Sequence, residues 1–393
     1  VGVGIDLGTS TLSVAIYKDS KLDIIEYNGL LATPSYVAFT DNGVLFGESA
    51  LSQLTDNPNN TIYGVKRLIG RKFEEIQQEM NNWPFAITKK GGKPVFVIDY
   101  KGQTKTLTPE QMLAMQLAEL KNAADYAAET STRKVVIGVP ANYTNAQRQA
   151  TLDAAVLAGF KASLISEPAA AILHYGYEEQ IKTNMEVLVF DMGGGTIDLS
   201  VITKEFREAP FKVIATAGHT DLGGIDFTNR LVEHFAAEIK RQQLGDLTSD
   251  SKAFCLLREA CEQAKKDLSS STTASMTIHS LFDGIDFTMT ITREEFDDLC
   301  SGLLDEIKQL VDKCLEYDIY ARKVKVRQVI LVGGSTRIPK IREMLTDFFS
   351  MEILEGGSNA VACGAAIEAG MRAGCKELTL LKVDVIPQPI RMK

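Results

Sequence analysis

The chain has 393 residues, enough to bury a large core and to divide into two or more units. Hydrophobic residues make up 45% and charged residues 24%, which is typical of a globular protein. The formal net charge of −9 disfavours a nucleic-acid-binding surface, and no apolar run is long enough to span a bilayer. We therefore expect neither nucleic acid nor a membrane as a partner.

Strand-like and helix-like segments alternate along the chain. Apolar, β-branched runs predict strands at 1–6, 11–17, 134–140, 187–193 and 326–334. Capping signals predict helices that begin after Thr108 and after Thr292, and the spacing of apolar residues predicts a helix over 224–242. Residues 277–291 predict a hairpin with Asp283-Gly284 at its turn. This alternation predicts an α/β fold in which helices cover sheets.

One strand–turn–strand pattern occurs twice. Residues 4–16 read GIDLGTSTLSVAI, and residues 190–202 read FDMGGGTIDLSVI. Asp6 aligns with Asp191, and Gly8 aligns with Gly193. The repeat predicts two similar lobes, each with a small-residue hairpin turn. A third glycine turn, VGGSTRIPK at 332–340, is predicted to end a strand and open a helix.

Such turns suit phosphate groups. Glycine lets the backbone approach a ligand closely, and successive N–H groups in a tight turn form an anion-binding nest. The neighbouring aspartates would repel phosphate unless a divalent cation lies between them, and Mg²⁺ uses few carboxylates and keeps several waters. A single glycine turn fits a structural hairpin equally well. The duplicated turn with its aspartates favours a clamp for a Mg²⁺-bound nucleotide.

The cysteines and histidines suggest neither disulfides nor a metal cluster. The six cysteines form no C-x-x-C pair, and the four histidines are scattered. Free thiols are typical of a reducing compartment, so we expect the cytoplasm. The endoplasmic reticulum and organelles stay open, because the chain begins at Val1 and because Asn59 and Asn142 lie in N-x-T sequons.

Several longer motifs carry a family resemblance. They are NTIYGVKRLIGRKF, VVIGVPANYTNAQRQAT, SEPAAAILHYG, LGGIDFTNRLVEHF, EQAKKDLSSSTTASMTI and LVGGSTRIPK, together with the two hairpins. Over essentially the whole chain they resemble the nucleotide-binding domain of the seventy-kilodalton heat-shock chaperone family. The resemblance implies the actin-like ATPase fold: two lobes around a cleft, each with a mixed-sheet core, an outer subdomain and one of the duplicated phosphate-binding hairpins.

The resemblance also implies a division of the chain. The parts are lobe I at 1–181 with its outer subdomain at about 37–107, lobe II at 182–353 with its outer subdomain at about 221–300, a helix returning to lobe I at 354–378, and an interdomain linker at 379–393.

The same resemblance assigns site residues. The catalytic residues implied are Lys66, Glu167, Asp191 and Thr196, and the metal-binding residues, acting mostly through water, are Asp6, Asp191 and Asp198. The nucleotide-binding residues implied are Gly8, Thr9, Ser10, Thr11, Gly193, Gly194, Gly195, Thr196, Gly223, Gly224, Glu262, Lys265, Lys266, Ser269, Gly333, Gly334, Ser335, Arg337 and Ser358. From the residues alone, Lys66 is expected to be a solvated lysine and Glu167 a strand-end carboxylate.

The sequence departs from the family pattern at five positions. Thr11 replaces a tyrosine, Lys266 an arginine, Ile225 a glutamate and Ser358 an aspartate, and Lys382 interrupts the apolar linker. The phosphate and metal motifs are intact. We therefore expect a divergent member of the family with altered nucleotide affinity or altered coupling to partners.

The resemblance implies slow, Mg²⁺-dependent hydrolysis of ATP to ADP. The nucleotide state would pass through the linker to a peptide-binding domain that this sequence does not include. The partners implied are a J-domain co-chaperone, a nucleotide exchange factor and unfolded client peptides. Two alternatives stay open: an ATP-binding exchange-factor relative with little turnover, and a small-molecule kinase of the same fold, for which we find no acceptor pocket signal.

Overall fold

The computed structural model describes residues 1–77, 79–178, 183–206, 209–242, 247, 250–282, 284–316, 324–375, 377–378 and 383–385. The strands of the first half are β1 (Gly2–Leu7), β2 (Thr11–Lys18), β3 (Lys21–Ile24), β4 (Thr33–Pro34), β5 (Tyr36–Thr40), β6 (Gly43–Phe46), β7 (Thr61–Tyr63), β8 (Ala86–Lys90), β9 (Lys93–Tyr100), β10 (Gln103–Leu107), β11 (Lys134–Val139) and β12 (Lys161–Ser166). The strands of the second half are β13 (Val187–Met192), β14 (Ile197–Thr203), β15 (Phe211–His219), β16 (Thr273–Phe282), β17 (Ile285–Thr292), β18 (Gln328–Val332), β19 (Ile353–Glu355) and β20 (Val383–Val385). The helices are α1 (Glu48–Leu51), α2 (Pro109–Ala128), α3 (Asn145–Leu157), α4 (Glu167–Glu178), α5 (Gly224–Arg241), α6 (Ser251–Asp267), α7 (Arg293–Leu299), α8 (Ser301–Glu316), α9 (Pro339–Phe349) and α10 (Ala360–Arg372).

Two mixed sheets repeat the same topology. The first has the order β12-β11-β1-β2-β3, and the second has the order β19-β18-β13-β14-β15. In each, an antiparallel hairpin occupies the centre and two parallel strands follow on one side. Every residue of β13 is buried, as expected for a central strand covered on both faces. The duplicated α/β architecture predicted from the sequence repeat is confirmed.

The two hairpins also share their register. Asp6 pairs with Ser13 across the first hairpin, and Asp191 pairs with Asp198 across the second. These are the positions that the sequence alignment makes equivalent. The repeat therefore places both aspartates at the same point, one residue before the end of β1 and of β13.

Smaller sheets lie outside the two central ones. Within residues 36–107, β5 pairs with β6 and β7, and β9 pairs with β8 and β10. Within the second half, β16 and β17 form the predicted hairpin, although its strands extend beyond 277–291. Asp283 of the predicted turn lies outside the described residues.

The capping predictions are confirmed, with one correction. Thr108 caps α2: its hydroxyl accepts from the N–H of Gln111 at 3.2 Å, and the Gln111 side chain accepts from the N–H of Thr108 at 2.9 Å. The run 296–316 that follows the Thr292 cap is predicted as one helix, and this is wrong, because α7 ends before Cys300 and α8 follows it. Cys300 is buried with φ −96° and ψ 2°, and the poor helix formers Ser301 and Gly302 follow it, so a kink there costs little.

Helices α4 and α10 pack between the two sheets. Their contact is backbone to backbone, since a Cβ on Gly364 would lie 1.7 Å from the carbonyl oxygen of Ala170. On the first sheet, a Cβ on Gly4 would lie 2.1 Å from the nitrogen of Ala366. These two helices form one buried apolar cluster with residues of both sheets, such as Tyr17 and Val189. The cluster joins the two halves below the central hairpins.

The predicted linker is described only in part. Strand β20 lies beside β15 in parallel, with Val383 opposite Phe211 and Val385 opposite Val213. The rest of the 379–393 segment, including Lys382, lies outside the described residues. No helix among those described has both the length and the apolar composition needed to cross a bilayer.

Candidate functional site

A cavity of about 510 Å³ opens at the turns of the two central hairpins. It is lined by Asp6, Gly8, Thr9, Ser10, Thr11, Lys66, Glu167, Asp191, Gly193, Gly194, Thr196, Glu262, Lys265, Lys266, Ser269, Val332, Gly333, Gly334, Ser335, Arg337, Ile338, Ser358 and Val361. The structure therefore brings most of the predicted site residues together. Of the predicted residues, those not among its lining are Asp198, Gly195, Gly223 and Gly224. Val332, Ile338 and Val361 were missed, because apolar residues at the ends of strands and helices carry no distinguishing pattern.

The two hairpin turns interlock. A Cβ on Gly194 would lie 2.0 Å from the Ser10 hydroxyl oxygen, and a Cβ on Gly195 would lie 2.5 Å from that of Thr9. By contrast, a Cβ on Gly193 would meet nothing closer than 4.0 Å. Gly194 and Gly195 are thus required by the approach of the two turns, whereas Gly193 leaves open space beside the cavity.

The first turn of α5 completes the second hairpin turn. The N–H of Gly224 donates to the carbonyl of Gly193 at 3.0 Å, and the N–H of Ile225 donates to that of Gly194 at 2.7 Å. A Cβ on Gly223 would lie 2.6 Å from the nitrogen of Gly195. Gly223 and Gly224 therefore pack against the second hairpin turn without lining the cavity themselves.

Lys66 forms a buried ion pair with Glu167. Its Nζ lies 2.6 Å from Oε1 of Glu167, and the two side chains are only 9% and 6% exposed. The expectation of a solvated lysine is wrong, because α4 begins at Glu167 and places its carboxylate directly beside the ammonium. Burial opposes the charge on Lys66, but Glu167, Tyr143 and Asp6 outweigh it and raise the lysine pKa.

Three further carboxylates are buried near this pair. Burial, reinforced by the charge of Glu167, raises the pKa of Asp6 and of Asp198 to about 7 and that of Asp191 well above its ordinary value. Asp198 also accepts from the N–H of Ala141 at 2.9 Å, and it does not line the cavity. The cluster thus has four carboxyl groups and one lysine, an excess of potential negative charge.

This donor set fits a hydrated divalent cation. Carboxylate oxygens are the ligands that Mg²⁺ prefers, and a cation would lower the cost of ionising Asp6 and Asp191. Among the described residues, no three acidic, histidine or cysteine side chains converge closely enough to ligate a metal directly. A cation here would therefore be held largely through water.

The opposite lining is rich in cations, and we call it the basic wall. It consists of Glu262, Lys265, Lys266, Ser269, Gly334, Ser335, Arg337, Ile338 and Ser358. Nζ of Lys265 donates to Oε2 of Glu262 at 2.7 Å, to the Gly224 carbonyl at 2.9 Å and to the Thr228 hydroxyl at 3.0 Å. Burial lowers the pKa of Lys265 against the pull of Glu262. Burial would raise the pKa of Glu262, but the charge of Lys265 outweighs it and lowers that pKa.

The third glycine turn contributes Ser335 to this wall. The Ser335 hydroxyl donates to the carbonyl of Gly193 at 2.8 Å, which ties the turn to the second hairpin. The prediction that the turn at 332–340 ends a strand and opens a helix is confirmed, since β18 ends at Val332 and α9 begins at Pro339, but a 3-10 turn at Gly334–Arg337 lies between them. The positive end of a helix is therefore displaced from the cavity edge by one turn.

Sequence reasoning missed the ion pairs that bridge the two halves. Nη2 of Arg67 lies 2.6 Å from Oδ2 of Asp226 and donates to the Gly195 carbonyl at 3.3 Å. Nη1 of Arg71 lies 2.7 Å from Glu79 and 2.8 Å from Asp221. The one available signal, two arginines shortly after Lys66, does not identify partners that are so distant in sequence.

The duplicated sheets, the interlocking glycine turns and the buried lysine–carboxylate cluster define a two-lobed fold with a polar cavity at the turns of its central hairpins. The family model described as Hsp70 protein matches residues 2–393. The heat shock 70 kDa protein of Emericella nidulans is 44% identical over 378 residues, which cover 95% of this chain and 58% of that protein. The heat shock cognate 70 kDa protein 3 of Dictyostelium discoideum is 42% identical over 399 residues, which cover 98% and 63%. A ribosome-associated molecular chaperone of Eremothecium gossypii is 40% identical over 404 residues, which cover 100% and 65%.

The chain therefore belongs to the Hsp70 family and has the actin-like ATPase fold of that family. It spans about three fifths of the length of the curated relatives that it matches.

Proposed function

We propose that this domain binds ATP with its phosphates between the two hairpin turns and hydrolyses it to ADP. The observation that carries the proposal is the buried pair of Lys66 and Glu167, 2.6 Å apart, beneath the turns and beside Asp6 and Asp191. A buried ion pair contributes little net stability to a fold. The position of Lys66 and Glu167 at a polar cavity therefore favours a chemical role for this pair.

The residues around the phosphates act mainly by positioning and by neutralising charge, as phosphoryl transfer requires. The hydroxyls of Thr9, Ser10, Thr11 and Thr196 and the N–H groups of the two turns donate to phosphate oxygens. Lys66 places its positive charge at the γ-phosphate. Glu167 orients the water that attacks the γ-phosphorus, and the bond to the leaving ADP oxygen breaks.

We further propose Mg²⁺ as the metal of this site. When bound, Mg²⁺ supplies positive charge to the terminal phosphate oxygens. Asp6, Asp191 and Asp198 would hold Mg²⁺ by accepting hydrogen bonds from its water molecules, and Asp6 and Asp191 line the cavity itself.

The basic wall holds the nucleoside in this proposal. Glu262, Lys265, Ser269 and Gly224 surround the ribose, and Lys266, Arg337, Ser335, Gly334 and Ser358 lie around the base. The support is that all of them except Gly224 line the same cavity as the phosphate residues, and that Gly224 accepts from Lys265.

A turnover assay tests the function. Single-turnover hydrolysis should occur with Mg²⁺ and stop with EDTA, and Glu167→Gln should slow it by about 10²-fold while ATP still binds. Glu178→Gln, at the exposed end of the same helix, is the matched control and should hydrolyse normally. ATP binding without turnover in the wild-type protein would instead favour an exchange-factor-like role.

We propose that lobe I at 1–181, lobe II at 182–353, the return helix at 354–378 and the linker at 379–393 move relative to one another with nucleotide state. The pairing of β20 with β15 supports a linker that docks on the second sheet. Through the linker, this movement of the lobes would be transmitted to a peptide-binding domain. The partners in this proposal are unfolded peptides, a J-domain co-chaperone and an exchange factor. In a protein that carries such a peptide-binding domain, peptide release on ATP addition would test this coupling.

We propose the cytoplasm as the compartment. All six cysteines are free, and five are buried, as suits a reducing environment. Relatives named as ribosome-associated chaperones are consistent with this location. Microscopy of a tagged protein at native expression would test it, and localisation to the reticulum or an organelle would contradict it.

A further inference from the structure

Lys66, the lysine proposed to act at the γ-phosphate, stands on a short turn. Val65–Arg67 is a single 3-10 turn that follows Gly64, and Gly64 has a left-handed φ of 69°. Hydrogen bonds in such turns have poorer geometry than those of an α-helix, so a single turn gives limited rigidity. The position of Lys66 therefore depends on contacts with other segments of the chain.

Tyr143 provides such a contact on the backbone of Lys66. Its hydroxyl donates to the Lys66 carbonyl at 3.1 Å, although the two residues are 77 positions apart in the chain. No backbone N–H among the described residues donates to that carbonyl. Tyr143 is only 7% exposed, so loss of its hydroxyl would leave the carbonyl without its protein partner at a place that water reaches poorly.

Tyr143 is itself fixed by the loop between β11 and α3. Its N–H donates to the carbonyl of Pro140 at 3.2 Å, and its carbonyl accepts from Nε of Arg148 at 3.2 Å. The next residue, Thr144, caps α3 through reciprocal hydrogen bonds with Gln147. The Tyr143 ring packs in the buried apolar cluster of the first half. The hydroxyl therefore acts on the lysine from a well-held position.

Lys66 has little room to shift while this bond is present. Lys66, which lines the main cavity, shares with Tyr143 a second cavity of about 10 Å³, which is too small for more than one water. The same loop also reaches the second hairpin, because the N–H of Ala141 donates to Oδ1 of Asp198 at 2.9 Å. Tyr143 thus ties the lysine to the loop that contacts the second hairpin.

We propose that Tyr143 is a positioning residue for ATP hydrolysis: its hydroxyl holds the backbone of Lys66 so that the ammonium stays beside Glu167 at the γ-phosphate. The inference rests on the proposed ATPase function of the cavity. Misplacing a catalytic group by about 1 Å can cost about 10²-fold in rate. Nucleotide affinity depends on the glycine turns and the basic wall, which Tyr143 does not line, so its hydroxyl affects the rate and not the binding.

Tyr143→Phe tests the proposal, because it keeps the buried ring and removes only the hydroxyl. Single-turnover hydrolysis of bound ATP should slow by about 5–20-fold, while the Kd for ATP stays within about twofold of wild type. An unchanged rate would overturn the inference, as would weaker ATP binding with a normal rate from the bound state. Absence of turnover in the wild-type protein would reject the proposed function instead.

Two other tyrosines provide matched controls for the loss of a hydroxyl. The Tyr63 hydroxyl is buried and has no hydrogen-bond partner among the described residues, and Tyr126 is 88% exposed. Tyr63→Phe and Tyr126→Phe should both hydrolyse ATP at the wild-type rate. Equal slowing in Tyr63→Phe would show that the effect does not depend on the bond to Lys66, and it would overturn the inference.

A double variant tests whether Tyr143 acts through the lysine. Residues that act as one unit have non-additive effects, so Tyr143→Phe should slow hydrolysis no further once Lys66→Ala has removed the ammonium. Single-turnover rates of the wild type, the two single variants and the double variant complete the comparison. If the two effects multiply, Tyr143 does not act by positioning Lys66, and the inference is overturned.

Discussion

The two central hairpins share one backbone plan but carry different residues at their turns. In the first, Thr9 and Ser10 project side chains toward the opposite turn; in the second, Gly194 and Gly195 leave the space that those side chains occupy. The registers match, yet Asp6 faces Ser13 while Asp191 faces a second carboxylate, Asp198. Duplication thus provides the geometry of the site, and divergence between the copies provides its fit and its charge.

Each half supplies a different part of the chemistry. The first half provides the positive charge of Lys66 and its partner Glu167, and the second provides the more acidic hairpin. Among the described residues that line the cavity, Lys66, Glu167 and Asp6 come from the first half and Asp191 from the second, so the cluster is complete only where the halves meet. The comparison therefore predicts that variants on the two sides fail in different ways.

We expect the largest effect on ATP hydrolysis from a substitution in the first half. Lys66→Ala should lower the single-turnover rate of ATP hydrolysis by about 10²–10³-fold, because it removes the charge that stabilises the transition state. ATP affinity should fall much less, since the basic wall is untouched. Lys18→Ala, which removes a partly exposed lysine at the end of β2, should behave as wild type. Undiminished hydrolysis in Lys66→Ala would remove Lys66 from the mechanism.

The aspartates of the two hairpins allow a matched pair of variants. Asp6→Asn and Asp191→Asn should each slow hydrolysis by about 10-fold or more at limiting Mg²⁺, because each removes an acceptor for metal-bound water. Normal turnover of both variants under these conditions would contradict the metal assignment.

The same variants should stabilise the protein when metal and nucleotide are removed. Burial raises the pKa of Asp6 in the folded protein to about 7, so ionising this group is less favourable in the folded state than in the unfolded state. The free energy of unfolding therefore falls as the pH rises from about 4 to 7. Asp6→Asn should therefore raise the free energy of unfolding at pH 8 by on the order of a few kcal/mol, with a smaller gain at about pH 5. Denaturant unfolding at both pH values measures this, and an equal effect at both would rule out the buried charge as its cause.

The glycines of the second turn provide the next comparison. Gly195→Ala places a methyl group 2.5 Å from the Thr9 hydroxyl oxygen, so the turns must separate, and we expect a lower melting temperature and ADP affinity reduced by about 10-fold. Gly193→Ala, two residues away, meets nothing closer than 4.0 Å and has no positive φ. Its melting temperature in the absence of nucleotide should stay close to that of wild type. Equal destabilisation by both substitutions would mean that the turns do not interlock.

The sequence predicts the local parts of this structure well. The duplicated aspartate and glycine pattern indicates the register of both hairpins, because strand pairing and turn geometry depend on residues close together in the chain. The caps at Thr108 and Thr292 are local in the same sense, and the helix starts after them are confirmed.

Contacts between segments that are far apart in the chain could not be predicted from the sequence pattern. The burial of Lys66 depends on Glu167, and the bridge from Arg67 to Asp226 joins the two halves. The kink at Cys300, by contrast, is favoured locally by the low helix propensities of Ser301 and Gly302. The roles of the site residues and the boundaries of the lobes stay predictions, because they depend on ligands and on motion.

The smallest expected effect concerns the base. Lys266 stands where the family has an arginine, and its ammonium is turned partly toward Glu262, 3.7 Å away, rather than committed to the cavity. A guanidinium is planar, weakly hydrated and stacks on rings, whereas an ammonium is a strongly hydrated point charge. Lys266→Arg should therefore gain on the order of 0.5–1 kcal/mol, which tightens ADP and ATP by about two- to fivefold.

Hydrolysis from the bound state should barely change in Lys266→Arg, because the substitution leaves Lys66 and the carboxylates untouched. Calorimetric titration of ADP and ATP into both proteins, with single-turnover rates measured alongside, separates the two quantities. Lys340→Arg, an exposed lysine of α9 paired with Glu343, is the matched control and should leave both unchanged. Equal or weaker nucleotide binding in Lys266→Arg would mean that this side chain does not cover the base, and the base would then rest on Arg337 alone.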